Sequence, residues 1–184
     1  MSGHEAVDSL SRLVPPARGR DEQIDWSAVE AVWGTRFPTD YVRFMEVYGA
    51  GSFGATVGIE HPEPDVEGYY TDGSGLDAET ENARCTWETE GDEADFALDP
   101  KDLIAWGVTS GADIYCWLTT DEDPDRWPVL VCGRHTDPVF QLHPYGMAEF
   151  LRRLFSDAAF RARTLSSHLE EPVDFVNWRA ARGL

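Results

Sequence analysis

Apolar positions over the first fifty residues recur with a helical period. Residues 4–13 read as a short amphipathic helix, ended by "PPARG". A second helix is expected from Asp25, a candidate N-cap, through "WSAVEAVW" to Gly34, whose type suits a helix stop. Ser27 and Glu30 also have the spacing of a capping box. The third helix, in "FPTDYVRFMEVYG", is the clearest. Pro38 opens it, Asp40 is acidic in its first turn, and Tyr41, Phe44, Met45 and Tyr48 form one apolar stripe at i, i+3, i+4 and i+7. Gly49 closes it.

From residue 51 to 143 the period shortens. "ATVGIE", "DLIAWGVT", "DIYCWLT", "PVLVCG" and "PVFQL" are short, β-branched and aromatic runs. "GADI", "TDEDPDRW" and "GRHTD" supply turns, so an antiparallel meander is expected. Between the first two runs, "EGYYTDGSGLDAETENARCTWETEGDE" is polar, acidic and glycine-containing, and reads as a long loop or weak hairpin. Helical spacing returns in "GMAEFLRRLFSD", where Met147, Phe150, Leu151 and Leu154 share a face. Residues 157–169 extend that helical pattern. The tail "EPVDFVNWRAARGL" suggests one more helix, capped by Asp174, whose Phe175 and Trp178 need something to pack on. Residues 1–184 therefore read as a single α+β domain: N-terminal helices and a C-terminal helix on a twisted, mainly antiparallel sheet.

Composition adds a core and a charge. With 42% hydrophobic and 12% aromatic residues, 184 residues can bury a sizeable interior. No run of 18 apolar residues offers a membrane span, and the polar N-terminus lacks a secretory pattern. Cys85, Cys116 and Cys132 are widely spaced, which fits reduced thiols and a cytoplasmic setting; Cys116 and Cys132 fall in apolar runs and are expected in the core. A formal net charge of −19 disfavours nucleic acid and anionic membrane as direct partners and favours a basic protein. The charge is concentrated. Glu60 to Asp99 holds fourteen Asp/Glu against Arg84 alone.

"GAGSFGATVG" has the glycine spacing of a phosphate loop at 49, 51 and 54. A phosphate loop opens a helix, however, and these glycines follow one, at its negatively polarised end. They are better explained as a helix stop and a strand entry. Asp121 to Asp125, "DEDPD", has the spaced carboxylates of a calcium loop but Arg126 and Cys132 where that loop needs Gly and Glu. His135 and His143 flank a strand without further ligands nearby and read as turn histidines; no metal and no cofactor are expected. No nucleophile signature occurs. Of seven tryptophans, most lie in apolar runs. Trp87 and Trp127 lie among acids, as interface anchors do, although core packing is the favoured reading for each.

The first block carries more than periodicity. Trp26, Glu30, Gly34, Pro38, Asp40, Tyr41, Phe44, Tyr48, Gly49 and Gly51 match the opening pattern of the SUKH superfamily. That group includes fungal cell-wall-synthesis regulators and bacterial immunity proteins. "LIAWGVTSGADIYCWLTTDEDPDRWPVLV" resembles its later strands, and "MAEFLRRLF" its closing helix. The resemblance covers residues 20–156 and leaves 157–184 as a C-terminal helical extension. It implies helices on an antiparallel sheet, no catalytic apparatus, and a cytosolic immunity protein that binds and neutralises a cognate toxin, such as a nuclease. The acidic segment then supplies a contact pool: Glu63, Asp65, Glu67, Asp72, Glu88, Glu90, Asp92, Glu93 and Asp95, with Tyr69, Tyr70 and Trp87 as anchors. Two other readings stand beside it. One is a regulatory protein-interaction module. The other is an enzyme on a small substrate, which a pocket of converging carboxylates or histidines would favour.

Overall fold

The computed structural model describes residues 3–16, 22–63 and 75–183. Three helices lead: α1 (Gly3–Leu13), α2 (Trp26–Trp33) and α3 (Thr39–Val47). Strands β1 (Gly51–Phe53) and β2 (Val57–Ile59) follow, then α4 (Leu76–Glu90). The chain continues through β3 (Leu103–Thr109), β4 (Ile114–Leu118), β5 (Val129–Cys132), β6 (Phe140–His143), α5 (Met147–Ser156), α6 (Ala158–Thr164), β7 (Phe175–Asn177) and α7 (Trp178–Ala181). The fold is α+β, with one antiparallel seven-stranded sheet in the order β6-β5-β4-β3-β2-β1-β7.

The caps explain the helix limits. Asp25 accepts a hydrogen bond from Ala28 N at 3.1 Å and begins α2, so Ser27 falls inside the first turn and no Ser27–Glu30 capping box forms. Gly34 ends that helix at φ 69°, a conformation costly for any residue with a Cβ. Asp157 breaks what reads as one long C-terminal helix. Its carboxylate caps Ala159 N and Phe160 N, starting α6 afresh.

The strands are continuous apolar runs because both sheet faces are covered. On one face Ile104, Trp106, Tyr115, Trp117, Val129 and Val131 meet α1, α3, α5 and α6. Trp106, Tyr115 and Phe150 pack ring on ring there, with centroids 5.0 to 5.9 Å apart. On the other face Leu103, Ala105, Ile114, Cys116, Leu130, Cys132 and Phe140 lie beneath α4. Cys116 and Cys132 are buried free thiols, offset diagonally because Cys116 pairs with Leu130 in the register.

Two segments differ from the sequence expectation. The acidic stretch expected as a loop or hairpin contains the 15-residue α4. The tail expected as one helix instead adds β7 to the sheet edge, antiparallel to β1, before the short α7. Phe175 packs among Phe44, Tyr48 and Phe53, and Trp178 lies over Gly58. Asp113, fully buried at the β3–β4 turn, fixes the approach to that tail. It accepts hydrogen bonds from Arg134 N, Ser166 N, the Ser166 hydroxyl and the Thr109 hydroxyl, at 2.6 to 2.9 Å.

Candidate partner-binding surface

The sequence of α4 divides its two sides. Leu76, Thr80, Ala83 and Trp87, at i, i+4, i+7 and i+11, are its buried residues. Thr80 pins it to the sheet: its hydroxyl donates to Leu76 O at 2.6 Å and accepts from Ala105 N at 2.9 Å. The helix's one cation, Arg84, turns inward and donates to Lys101 O and Leu103 O. Toward solvent the helix shows four acids, Asp77, Glu81, Glu88 and Glu90, among the uncharged Asn82, Cys85 and Thr89, and Asp92, Asp95 and Asp99 follow beyond it.

The end of this helix is unusual electrostatically. Asp77 and Glu79 in the first turn sit at the positive end of the helix dipole, where carboxylates are favourable. Glu88 and Glu90 sit at the negative end, which has no basic residue in its last turn. There the carboxylates add to the backbone field instead of cancelling it. The 3₁₀ turn Gly91–Glu93 and Asp95 extend the same charge. Two hollows flank the helix. One, of about 460 Å³, runs from Glu79, Cys85 and Glu90 to Ile114, Cys132 and Arg134. The other, of about 480 Å³, lies beside Trp87, Glu88, Asp92, Phe96 and Leu98.

The expected contact pool is thereby sorted. Glu88, Glu90, Asp92 and Asp95 come together as exposed residues, with Glu93 in the same turn. Glu63 lies at the other end of α4, near Asp77, where it accepts from Asp25 N at 3.0 Å. At 1.5 Å per residue the helix puts these ends about 22 Å apart. Asp65, Glu67, Tyr69, Tyr70 and Asp72 lie outside the described residues. Trp87 is not an exposed anchor. It is 8% exposed, stacked on Phe96 and edge-on to Phe140, and it holds α4 down. Trp127 is likewise buried. Sequence reasoning missed Asp77, Glu81 and Asp99 as members of the surface. For Asp77 and Glu81 the signal was the spacing of Leu76, Thr80, Ala83 and Trp87, which puts these intervening acids outward; Asp99 lies beyond the helix and had no such signal.

The other sequence candidates are structural. Trp26, Phe37, Tyr41 and Trp117 form a connected ring cluster. Gly49 has φ 70°, and Gly51 faces β7 with no space for a Cβ. Asp121, Asp123 and Asp125 fold their own turn: Asp121 accepts from Asp123 N, Asp123 from Asp125 N, and Asp125 from Thr39 N. No group of three or more ligating side chains that could hold a metal occurs among the described residues. His135 is exposed, but His143 is not a free turn histidine. It is wedged against Phe150 and Phe160, and burial, with Arg163 nearby, lowers its pKa to about 4. His61, isolated in sequence, is buried beside Glu63 in space, and its burial lowers its pKa too.

A family model described as SUKH_6, SMI1-KNR4 cell-wall, matches residues 23–151. The chain belongs to the SUKH family. The match takes in the ring cluster, the meander and α4, and it ends inside α5. No curated protein and no solved structure matches the chain. SUKH proteins include immunity proteins and SMI1/KNR4-like regulators, and the immunity proteins bind toxins. A protein partner in general is therefore supported for this SUKH chain. Among the described residues no helix is long and apolar enough to cross a membrane.

Proposed function

We propose that this SUKH protein is a non-enzymatic, cytoplasmic bacterial immunity protein. It binds a cognate toxin domain with a basic surface, such as a nuclease, and covers that surface with the acidic side of α4 and residues 91–99. The observation that carries this reading is the placement of charge. Among the described side chains, seven carboxylates face solvent from Asp77 to Asp99, while Arg84 is turned into the protein. Glu88 and Glu90 sit where the helix dipole opposes them, at a cost of a few tenths of a kcal/mol each. A like-charged ridge of this kind raises the encounter rate with a basic partner and carries the sign of charge that a nuclease groove attracts.

The test is co-expression with a candidate toxin encoded beside this gene, followed by pull-down and growth rescue. Complex formation with protection supports the reading for that pair. Binding with no protection favours the regulatory module, the other role in the family. Reversing Glu88, Glu90, Asp92 and Asp95 to lysine should abolish protection. If the reversed protein still binds with the same salt dependence, the contact surface lies elsewhere.

A further inference from the structure

The hollow of about 480 Å³ beside Trp87 lies within the acidic surface, yet its floor is apolar. Trp87, Phe96, Leu98 and Pro100 line it, and its charged lining residues are Glu88 and Asp92. Both carboxylates are exposed, whereas Trp87 is buried and Phe96, Leu98 and Pro100 are half-buried. Apolar side chains thus form the floor and carboxylates the rim. Single exposed apolar residues are ordinary on a protein surface. An apolar floor inside a charged rim has the anatomy of a protein contact, a desolvated centre within a polar margin.

The floor is preformed. Trp87 is edge-on to Phe140 and stacked on Phe96, with centroids 4.7 and 5.6 Å apart. Gly91 passes so close to the indole that a Cβ there would come within 2.9 to 3.1 Å of its atoms. An incoming side chain therefore meets a surface that need not reorganise, which lowers the cost of binding. The surroundings select the partner. The hollow lies at the C-terminal, negative end of α4, and Glu90 and Asp95 add to the charge of Glu88 and Asp92. Among the nearby described cations, Arg84 is turned inward and Lys101 is paired with Asp99. This field attracts a basic segment and repels a second copy of a chain whose net charge is −19. A free small molecule would find few polar groups in the floor to orient it.

We infer that this hollow seats one large apolar side chain of the basic partner, flanked in the partner's own chain by Lys or Arg. The inference rests on the toxin-binding reading of this surface and separates two contributions within it. The carboxylates govern encounter. The apolar anchor governs residence, because burial of apolar area is not screened by salt as exposed charges are.

Amide NMR of the full chain tests the hollow directly, with acetyl-Lys-Lys-Trp-Lys-Lys-amide and acetyl-Lys-Lys-Gly-Lys-Lys-amide as probes. At about 0.5 M NaCl the Trp peptide should still give saturable shifts at Gly91, Ala94 and Ala97, while those of the Gly peptide should vanish. Leu98→Ser removes part of the floor, and Ala97→Trp fills the hollow. Each should weaken the Trp peptide by about tenfold or more. Ala97 is exposed, so Ala97→Trp serves if Leu98→Ser does not fold. In complex with the co-expressed toxin, both variants should dissociate about 10- to 100-fold faster, with association rates within about twofold of the native protein. A toxin that fails to bind the native protein, while the Trp peptide binds as expected, defeats the toxin reading for that pair and leaves the hollow standing. Toxin binding with unchanged dissociation in the folded variants defeats the hollow and leaves the toxin reading standing. Equal shifts from both peptides, or shifts spread along α4 to Asp77, would also overturn the inference. Concentration-dependent shifts of the same amides without peptide would give the hollow to a second copy and overturn it too.

Discussion

Gly51 has no room for a methyl group. A Cβ there would run into Val176 O and come within 2.6 Å of the Phe175 ring, both on β7. Gly34 is the opposite case: its φ is 69°, but nothing lies within 4 Å of a built Cβ. Gly51→Ala should therefore cost about 2–3 kcal/mol by overpacking the β1–β7 edge, and Gly34→Ala only about 1 kcal/mol of backbone strain. Urea denaturation of both variants checks the order. Glu60 makes a different prediction. It is buried with Oε2 unpartnered, and burial followed by the Glu79 charge pushes its pKa up to about 7. A carboxyl raised above its unfolded value holds its proton more tightly when folded. Its stabilising contribution is full below the unfolded value and is lost as pH rises through about 7. Glu60→Gln should then raise stability by about 1–2 kcal/mol at pH 8 and change little at pH 4. A pH series of thermal melts on both proteins would expose an error, since parallel curves would contradict the assignment. Neither residue's role was legible from sequence. Gly51 read as a strand entry because its real constraint, β7, arrives 125 residues later.

At the scale of elements, legibility followed the strength of the local pattern. The helices before residue 50 and the strands β3 to β6 carry dense apolar signals bounded by turn residues, and they form where expected. The helix α4 does not announce itself, because two of its four buried positions are Thr80 and Ala83. Without large apolar side chains at i+4 and i+7, its stripe is weak, and the surrounding glycines and acids resemble a loop. β7 failed for the reverse reason. Phe175 and Trp178 have helical spacing, but Phe175 and Asn177 alternate inward on a three-residue strand, and Trp178 starts the next element. The candidate site shares this split: its charge was visible in the composition, its ridge was not. One consequence is that α4 is held by few large contacts. Trp87→Ala removes the Trp87–Phe96 and Trp87–Phe140 contacts and should cost about 3–4 kcal/mol. Hydrogen exchange should accelerate most in α4, while the β4–β5 core stays protected. Uniform acceleration would mean that the second face does not unfold as a separate unit.

For the molecule as a whole, the sheet separates two roles. One face carries the large aromatic core, and the other carries α4 with a thinner apolar layer and the exposed acids. A net charge of −19 acts over the whole surface, yet its concentration on the thinner layer gives the field a direction. Long-range attraction then governs encounter more than residence, because exposed charges are screened once the complex has formed. For a basic partner of the kind proposed, neutralising the ridge with Glu88→Gln, Glu90→Gln, Asp92→Asn and Asp95→Asn should slow association about 10- to 100-fold at low salt. Dissociation should change by less than that. Raising the ionic strength to about 0.5 M should bring the two association rates together, since the Debye length then falls to a few ångströms. Stopped-flow measurement across a salt series separates the cases. If the loss falls instead on the dissociation rate and persists at high salt, these four residues are buried contacts and not a steering field. In that case the interface is centred on the end of α4 itself.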